Sequence, residues 1–492
     1  TQLTDKSGNG FTPIGINEDS NKYCFEGIFD GQGNRLENIY INHDEYTGLF
    51  GYIKVLRAKD LGITGKLIGN NYIGSLGGCV EDYAYVDNCY SECTVESGKF
   101  YIGGLIGCIG NKSASTIKNC NNKGSIAGRN EIGGIVGQVS SLSNQNTSDL
   151  YIINCHNEGS IAGEIYVAGI IGMINDVNKV YVKKCSNTGV ITENVEEQSD
   201  GFEIGGIIGN SNAAETYIYD SYNAGDISAP NSQYVGGIIG QTQNDNNKIM
   251  IINCYNTGNI AGAGYIGGIL ANDFYDANSI NIDNCYNTGN ISGENIGGIC
   301  GYVNKINMTN CYNTGKISIK NSINTAYSQG GIIGYCRTGG TITQCYNIGN
   351  IDCIDGYRST LRVGGLIGGN DTLNDVNVKK CYNEGNINVN SDEWVYCGGI
   401  VGEGKITAED CYNKGSITIN CNYHVSAGGI LGHNEDSNTT FNNCSNMGDI
   451  TVYVKESAHI GGVVAGWTFS SVYRCSNSGN INVSNSEYSY IG

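Results

Sequence analysis

Asn253-Cys254-Tyr255-Asn256-Thr257-Gly258-Asn259-Ile260 returns as Asn284-Cys285-Tyr286-Asn287-Thr288-Gly289-Asn290-Ile291. From Cys254 the even positions are Cys254, Asn256, Gly258 and Ile260, while the odd ones are Tyr255, Thr257 and Asn259. Strict two-residue alternation is the period of a strand, and nothing in the stretch recurs at the helical 3.6. The even positions therefore face inward and the odd ones outward.

Outward from this stretch the same unit recurs along most of the chain. Its cysteine position runs through Cys89, Cys120, Cys155, Cys185, Ser221, Cys254, Cys285, Cys311, Cys345, Cys381, Cys411, Cys444 and Cys475, with members 26 to 36 residues apart. Between the cysteine units lies a second motif, apolar-Gly-Gly-apolar-apolar-Gly, as in Ile102–Gly107, Ile204–Gly209 and Val363–Gly368. Repeats of this period mean a solenoid in which each coil stacks on its neighbours. Leu36–Ile39 and Ala58–Leu61 fit the same frame, with Ile39 and Leu61 in the cysteine slot, which brings the expected count to fifteen coils of roughly 30 residues. Parallel strands joined by crossovers wind right-handed in nearly every case. The expected fold is all-β, a right-handed parallel β-helix of single-stranded solenoid type with about three strands per coil. Residues 1–35 form an irregular, cap-like segment and residues 36–492 the β-helix. The last residues, Tyr490-Ile491-Gly492, fall in the middle of a repeat.

Each file of like residues has an expected role. Asn follows two residues after the cysteine slot from Asn122 to Asn477, with Ser91 the exception. A side-chain amide both donates and accepts, so stacked amides can bond to one another and to turn backbone. The apolar residue three places before the cysteine (Ile251, Ile282, Met308, Ile342, Val378) is out of step with it. A bend or bulge is therefore expected at the residue just before the cysteine.

The composition excludes several functions. The chain has 492 residues, a formal charge of −19, 74 glycines and two prolines. Nucleic-acid binding needs a basic stripe, which is lacking. An anionic membrane surface would repel the chain, no apolar run approaches the ~20 residues of a bilayer span, and no signal peptide opens the sequence. The 21 cysteines read as buried thiols rather than disulfides, because in-register neighbours ~4.8 Å apart exceed the Cβ separation a disulfide tolerates. Cys79 and Cys108 align in adjacent coils and should also stack. Zinc sites need convergent short-spaced pairs, and Cys89-x3-Cys93 stands alone. His43, His156, His424, His433 and His459 are scattered, with no His-Glu-x-x-His and no Gly-x-Ser-x-Gly. The acidic groups Glu193, Glu196, Glu197, Asp200 and Asp352, Asp355 read as solvated. No catalytic residue, cofactor or metal is expected.

Two features point to binding. Tyr222, Tyr255, Tyr286, Tyr312, Tyr346, Tyr382 and Tyr412 follow the cysteine slot in seven consecutive coils and form an outward stripe. Stacking between coils would account for it structurally, and a platform for sugars or partner proteins would account for it functionally. From Cys311 onward, the coils lengthen through Ser318–Ser328, Asp352–Arg362, Val389–Tyr396 and His424–Ala427, placing Tyr357, Arg358, Arg362 and Trp394 on enlarged loops, the usual binding face of a solenoid.

Phe29-Asp30-Gly31-Gln32-Gly33, Leu36–Ile41 and Gly48-Leu49-Phe50-Gly51, with the repeated Gly-Gly and Asn-Cys-Tyr-Asn units, resemble GLUG-motif proteins over residues 11–492. Such repeats occur in bacterial surface and secreted proteins, including the non-catalytic parts of IgA-specific metallopeptidases. The resemblance implies a cell-surface or extracellular location and adhesion, and it brings no catalytic residues. The expected function is a non-enzymatic, adhesin-like display of a binding face to glycans or to host or partner proteins. A polysaccharide lyase or glycoside hydrolase is the alternative, on fold analogy alone. An ice-binding surface would need a regular Thr array, which the position after the Asn file does not provide. The oligomeric state is left open by the sequence.

Overall fold

In a computed structural model, the described residues are 8, 10–18, 21–140, 148–194, 202–243, 248–273, 279–319, 327–354, 360–371, 375–434, 439–466, 471–484 and 487–492. They are all β, with no helix, and wind as a parallel β-solenoid of about 13 turns of ~31 residues. The chain divides into two compact units, residues 1–233 with 237–250, and residues 234–236 with 251–492.

In the second unit, the turn holding Cys345 comprises Ile333–Thr343, Tyr346–Asn347, Ile351–Ile354 and Leu361–Gly364, before the chain enters the next turn at Ile367–Asn370. That is four strands where about three were expected, because the Asn-x-Gly step breaks the side after the cysteine in two. Every strand pairs in parallel with its counterpart one turn on: Tyr346 with Tyr382, Ile351 with Ile387 and Val363 with Cys397.

The expected bend is present. Asn284, Asn310, Gln344, Lys380, Asp410 and Asn443 have φ between 53° and 56°. Asn88, Asn119, Asn154, Lys184 and Asp220 do the same in the first unit, with φ between 51° and 55°. A left-handed residue before each cysteine turns the chain by one corner, and it re-phases the alternation so that the apolar residue three places earlier also points inward. Asn and Asp tolerate this conformation best among residues with a side chain.

The interior files follow. From Cys89 to Cys444 every cysteine of the slot is at most 2% exposed, as is Ser221. The amide file is continuous within each unit. In the first, Asn122 donates to Asn157 (2.8 Å), Asn157 to Asn187 (2.7 Å) and Asn187 to Asn223 (2.8 Å). In the second the same bond runs at 2.7–2.9 Å from Asn256 through Asn287, Asn313, Asn347, Asn383, Asn413 and Asn446 to Asn477. The other amide hydrogen closes the local turn, as from Asn287 to the Gly289 carbonyl at 2.8 Å. Gly268 explains the Gly-Gly pair, since a Cβ there would lie 2.1 Å from the Gly298 carbonyl oxygen and 2.6 Å from Asn287 Cβ.

The earliest turns depart from the expected alignment. Leu61 does pair with Cys89, but Leu61's other partner is Asn34, and Ile39 pairs with Gly65. Ile39 is thus outside the cysteine file, only partly buried, because register shifts at Asp30/Asn34 and Leu36/Ile39 slide the strand Phe25–Asn42 along its neighbour. The thirteen slots from Cys89 to Cys475 match the number of regular turns. Parallel pairing already starts at Phe25, ahead of residue 36. Before it, Ile16–Glu18 and Asn21–Tyr23 form an antiparallel hairpin, and Ile14 bridges to Phe50.

Candidate functional site

Tyr255, Tyr286, Tyr312, Tyr346, Tyr382 and Tyr412 form an unbroken ladder, ring centroids 4.8–4.9 Å apart and planes within 3° of parallel. They are half-buried, and Tyr222 holds the equivalent place in the first unit, in register with Ser186. In such a pile each inner ring has both faces covered by its neighbours, so the ladder offers ring edges and hydroxyls to solvent. Sugar rings and flat ligands are recognised through aromatic faces; the geometry therefore serves strand cohesion first.

A different pair of files builds a cleft in the second unit. One is the residue just ahead of each apolar-Gly-Gly motif: Tyr265, Asn295, Ser328, Arg362 and Tyr396. The other is the residue after the motif's last glycine: Tyr302, Tyr335, Gly369, Glu403 and His433. Their strands are register neighbours from turn to turn, Ser328 beside Arg362 and Arg362 beside Tyr396, Tyr302 beside Tyr335 and Tyr335 beside Gly369. The glycine corner folds the chain back so that the two files face each other. Tyr265, Asn295, Tyr302, Ser328, Tyr335 and Arg362 line an open cleft of about 250 Å³.

The cleft wall is mixed. Tyr302 and Tyr335 stack at 5.7 Å, whereas Tyr265 meets Tyr302 edge-on, at 65° and 5.2 Å, so the ring file turns at this point. Burial pushes all three phenols up, Tyr302 to about 12, so they are neutral donors. Asn295 accepts from the Ser328 backbone N–H at 3.1 Å through its side-chain oxygen. Arg362 donates from Nε to Glu403, in an ion pair whose side chains are 24% and 9% exposed. Beyond Glu403, the Tyr396 and His433 rings stack at 4.1 Å.

Of the expected loop residues, Arg362 lines the cleft. Trp394 lies on the next turn, where its backbone carbonyl accepts from Leu361 N–H at 2.8 Å. Its ring packs on His424 (4.4 Å), Tyr423 (5.6 Å) and Tyr396 (6.3 Å), beside the cleft rather than in it. Tyr357 and Arg358 lie outside the described residues, as do Glu196, Glu197, Asp200 and Asp355. Asp352 is held by Lys316 at 2.6 Å. The scattered histidines of the sequence converge in part, for His424 and His459 lie 5.4 Å apart. Tyr265, Asn295, Tyr302, Ser328, Tyr335 and Glu403 were not anticipated. Their signal was positional, a fixed offset from Gly-Gly, without a repeating residue type.

The buried thiols are not poised to react. Burial raises Cys89, Cys93 and Cys336 to about 12, and the Cys79 and Cys108 thiols stack in one buried cluster with Tyr52. Among the described residues no group of three or more His, Cys, Asp or Glu is placed to hold a metal ion.

Fold and files together define a class, the parallel β-solenoid with an interior of thiols and stacked amides. Within that class the chain carries the GLUG motif, matched at residues 98–127, 231–261 and 292–318, the last of which includes Asn295 and Tyr302 of the cleft. No curated protein and no solved structure matches the chain.

Proposed function

We propose that this chain is a non-enzymatic, adhesin-like solenoid of a bacterial cell surface or secreted protein, displaying a binding face to glycans or to a host or partner protein. The cleft carries this reading. It sets phenol rings, an amide, a hydroxyl and a guanidinium side by side on a scaffold whose interior is devoted to packing, and such a mixture suits recognition of a polar ligand with apolar faces. The competing reading is a polysaccharide lyase or hydrolase, for which the grouping of Arg362, Glu403, Tyr335 and His433 has the most suitable chemistry among the described residues. Burial keeps the Tyr335 phenol protonated, which disfavours it as the base of an elimination. The test is to probe the purified chain against a glycan array and a panel of extracellular-matrix and bacterial surface proteins, with the same glycans assayed for new reducing ends or unsaturated products. Saturable binding without cleavage is expected. Cleavage, or no binding to any glycan or protein, would overturn the reading.

A further inference from the structure

We propose that the cleft takes a carboxylated sugar residue, of uronate or sialate type, with Arg362 as the carboxylate receptor. This rests on the reading of the chain as a glycan-binding surface and gives that surface a ligand class.

The first ground is where the arginines lie. The chain has seven, against a formal charge of −19, and Arg337, Arg358 and Arg362 fall within 26 residues of one another in sequence. Arg362 lines the cleft, and Arg337 bears electrostatically on the Tyr302 phenol of its wall. Guanidinium so placed in an acidic chain favours an anion.

The second is how Arg362 is held. Its Nε is engaged by Glu403, and its terminal nitrogens have no protein hydrogen bond among the described residues. Tethering one edge of a guanidinium fixes its plane and leaves the opposite, two-nitrogen edge for a planar bidentate acceptor, which a carboxylate is. Glu403 also filters by charge: a dianionic phosphate would be repelled by the neighbouring carboxylate more strongly than a monoanion.

The third is the close packing at Gly369. A Cβ there would lie 2.8 Å from Arg362 Cδ, 3.3 Å from Tyr335 Cδ2 and 3.4 Å from Ser328 Oγ. Any side chain at this position would press on Arg362, so glycine lets the arginine stem lie over the strand between the longer Tyr335 and Glu403 of the same file. The cleft that Arg362, Tyr335 and Ser328 line stands beside it. Its 250 Å³ falls below the ~300–1,000 Å³ typical of enclosed small-molecule sites, so it admits one sugar ring rather than a polymer segment. Phenol rings for the sugar's C–H face and the Asn295 and Ser328 side chains for its hydroxyls complete the set.

The test titrates the full chain with oligogalacturonate and sialyllactose, with their neutral counterparts oligogalactose and lactose, and with a sulfated galactose oligomer, followed by NMR or calorimetry. The acidic sugars should bind, and the neutral ones about 10- to 100-fold more weakly, the share of one charge-assisted bidentate contact. Arg362→Gln should cost a similar factor, and Arg362→Lys most of it, because the charge remains but the fork is lost. Gly369→Val should weaken binding by about the same factor, because its side chain displaces Arg362, and a remote control, Lys66→Gln, should bind as the parent does. Melting curves establish that each variant is folded; if Arg362→Gln fails to fold, Gly369→Val decides. Equal affinity for neutral and acidic sugars, preference for the sulfated oligomer, or undiminished binding by folded Arg362→Gln or Gly369→Val would each overturn the assignment. If the array shows protein or neutral-glycan partners while both carboxylated sugars fail, the assignment falls and the binding-surface reading stands.

Discussion

Asn287 has no exposed surface, donates to Gly289 and Asn313 and accepts from Asn256. A buried amide in water-free surroundings is tolerable only when its bonds are made, and here one residue type supplies donor and acceptor to its own kind on both sides. Replacing Asn287 by Ala strands the Asn256 donor and the Gly289 and Asn313 acceptors. The expected loss is about 2–4 kcal/mol, from ~1–3 per orphaned group with partial relaxation, read as a lowered urea midpoint. The thiols allow a second check at this scale. Cys24 is exposed and Cys475 partly so, while the others are buried. Native protein should therefore react with a thiol reagent at once at Cys24 and more slowly at Cys475, and elsewhere only after denaturant is added. Mass mapping of the labelled cysteines checks this, and rapid native labelling of the Cys254–Cys444 file would contradict the packing described.

Among the elements, the tyrosine ladder and the cleft separate two kinds of repetition. Tyr312 stacks at 4.9 Å on both Tyr286 and Tyr346. Tyr312→Ala should cost about 1–3 kcal/mol, from two ring pairs at ~0.5–1.5 each, and should leave ligand binding unchanged if the ladder's part is cohesive. A binding loss larger than the stability loss would restore it as a contact surface. This contrast also explains what the amino-acid sequence disclosed. The cysteine, asparagine and left-handed positions were legible because every turn meets the same packing problem and solves it with the same letter. Arg362 was noticed as a cation on a long loop, but its companions were not, because the cleft files change residue at each turn: Tyr265, Asn295, Ser328, Arg362 in one and Tyr302, Tyr335, Gly369, Glu403 in the other. A surface that discriminates among ligands has no reason to repeat, and six residues with a glycine corner separate each facing pair, as Ser328 from Tyr335. Ile39 was misplaced for a related reason, since bulges in an irregular strand cannot be seen in a letter frame that skips them.

At the scale of the whole molecule, the two units carry opposite pH liabilities. In the second, burial lowers His424 and His433 to about 4, from 6.5. The unfolded chain takes up protons there that the native state refuses, so stability is full above pH 6.5 and drains away as pH falls toward 4, on the order of 2–3 kcal/mol per histidine. In the first, burial raises Glu131 to about 7 and Glu203 to about 8, from 4.5. A native carboxyl that prefers its proton stabilises fully below pH 4.5 and loses that contribution as pH rises through 7 to 8. Hydrogen exchange read by mass spectrometry, corrected for intrinsic rates, should show strands near His424 and His433 loosening toward pH 4 and those near Glu131 and Glu203 loosening toward pH 8. His433→Phe and Glu203→Gln should flatten the respective trends.

The file of amides has a direction. Within each unit, every described link runs from the nitrogen of one asparagine to the oxygen of the next along the chain. A turn is consequently a module with one plug and one socket. Excising residues 285–310 joins Asn284 to Cys311 and mates the Asn256 plug to the Asn313 socket, so the shortened protein should still fold; a cut half that length leaves both unmated and should not. Length in such a molecule can change only in whole steps, and gene-level gain or loss of single modules is the route by which relatives of different reach can arise.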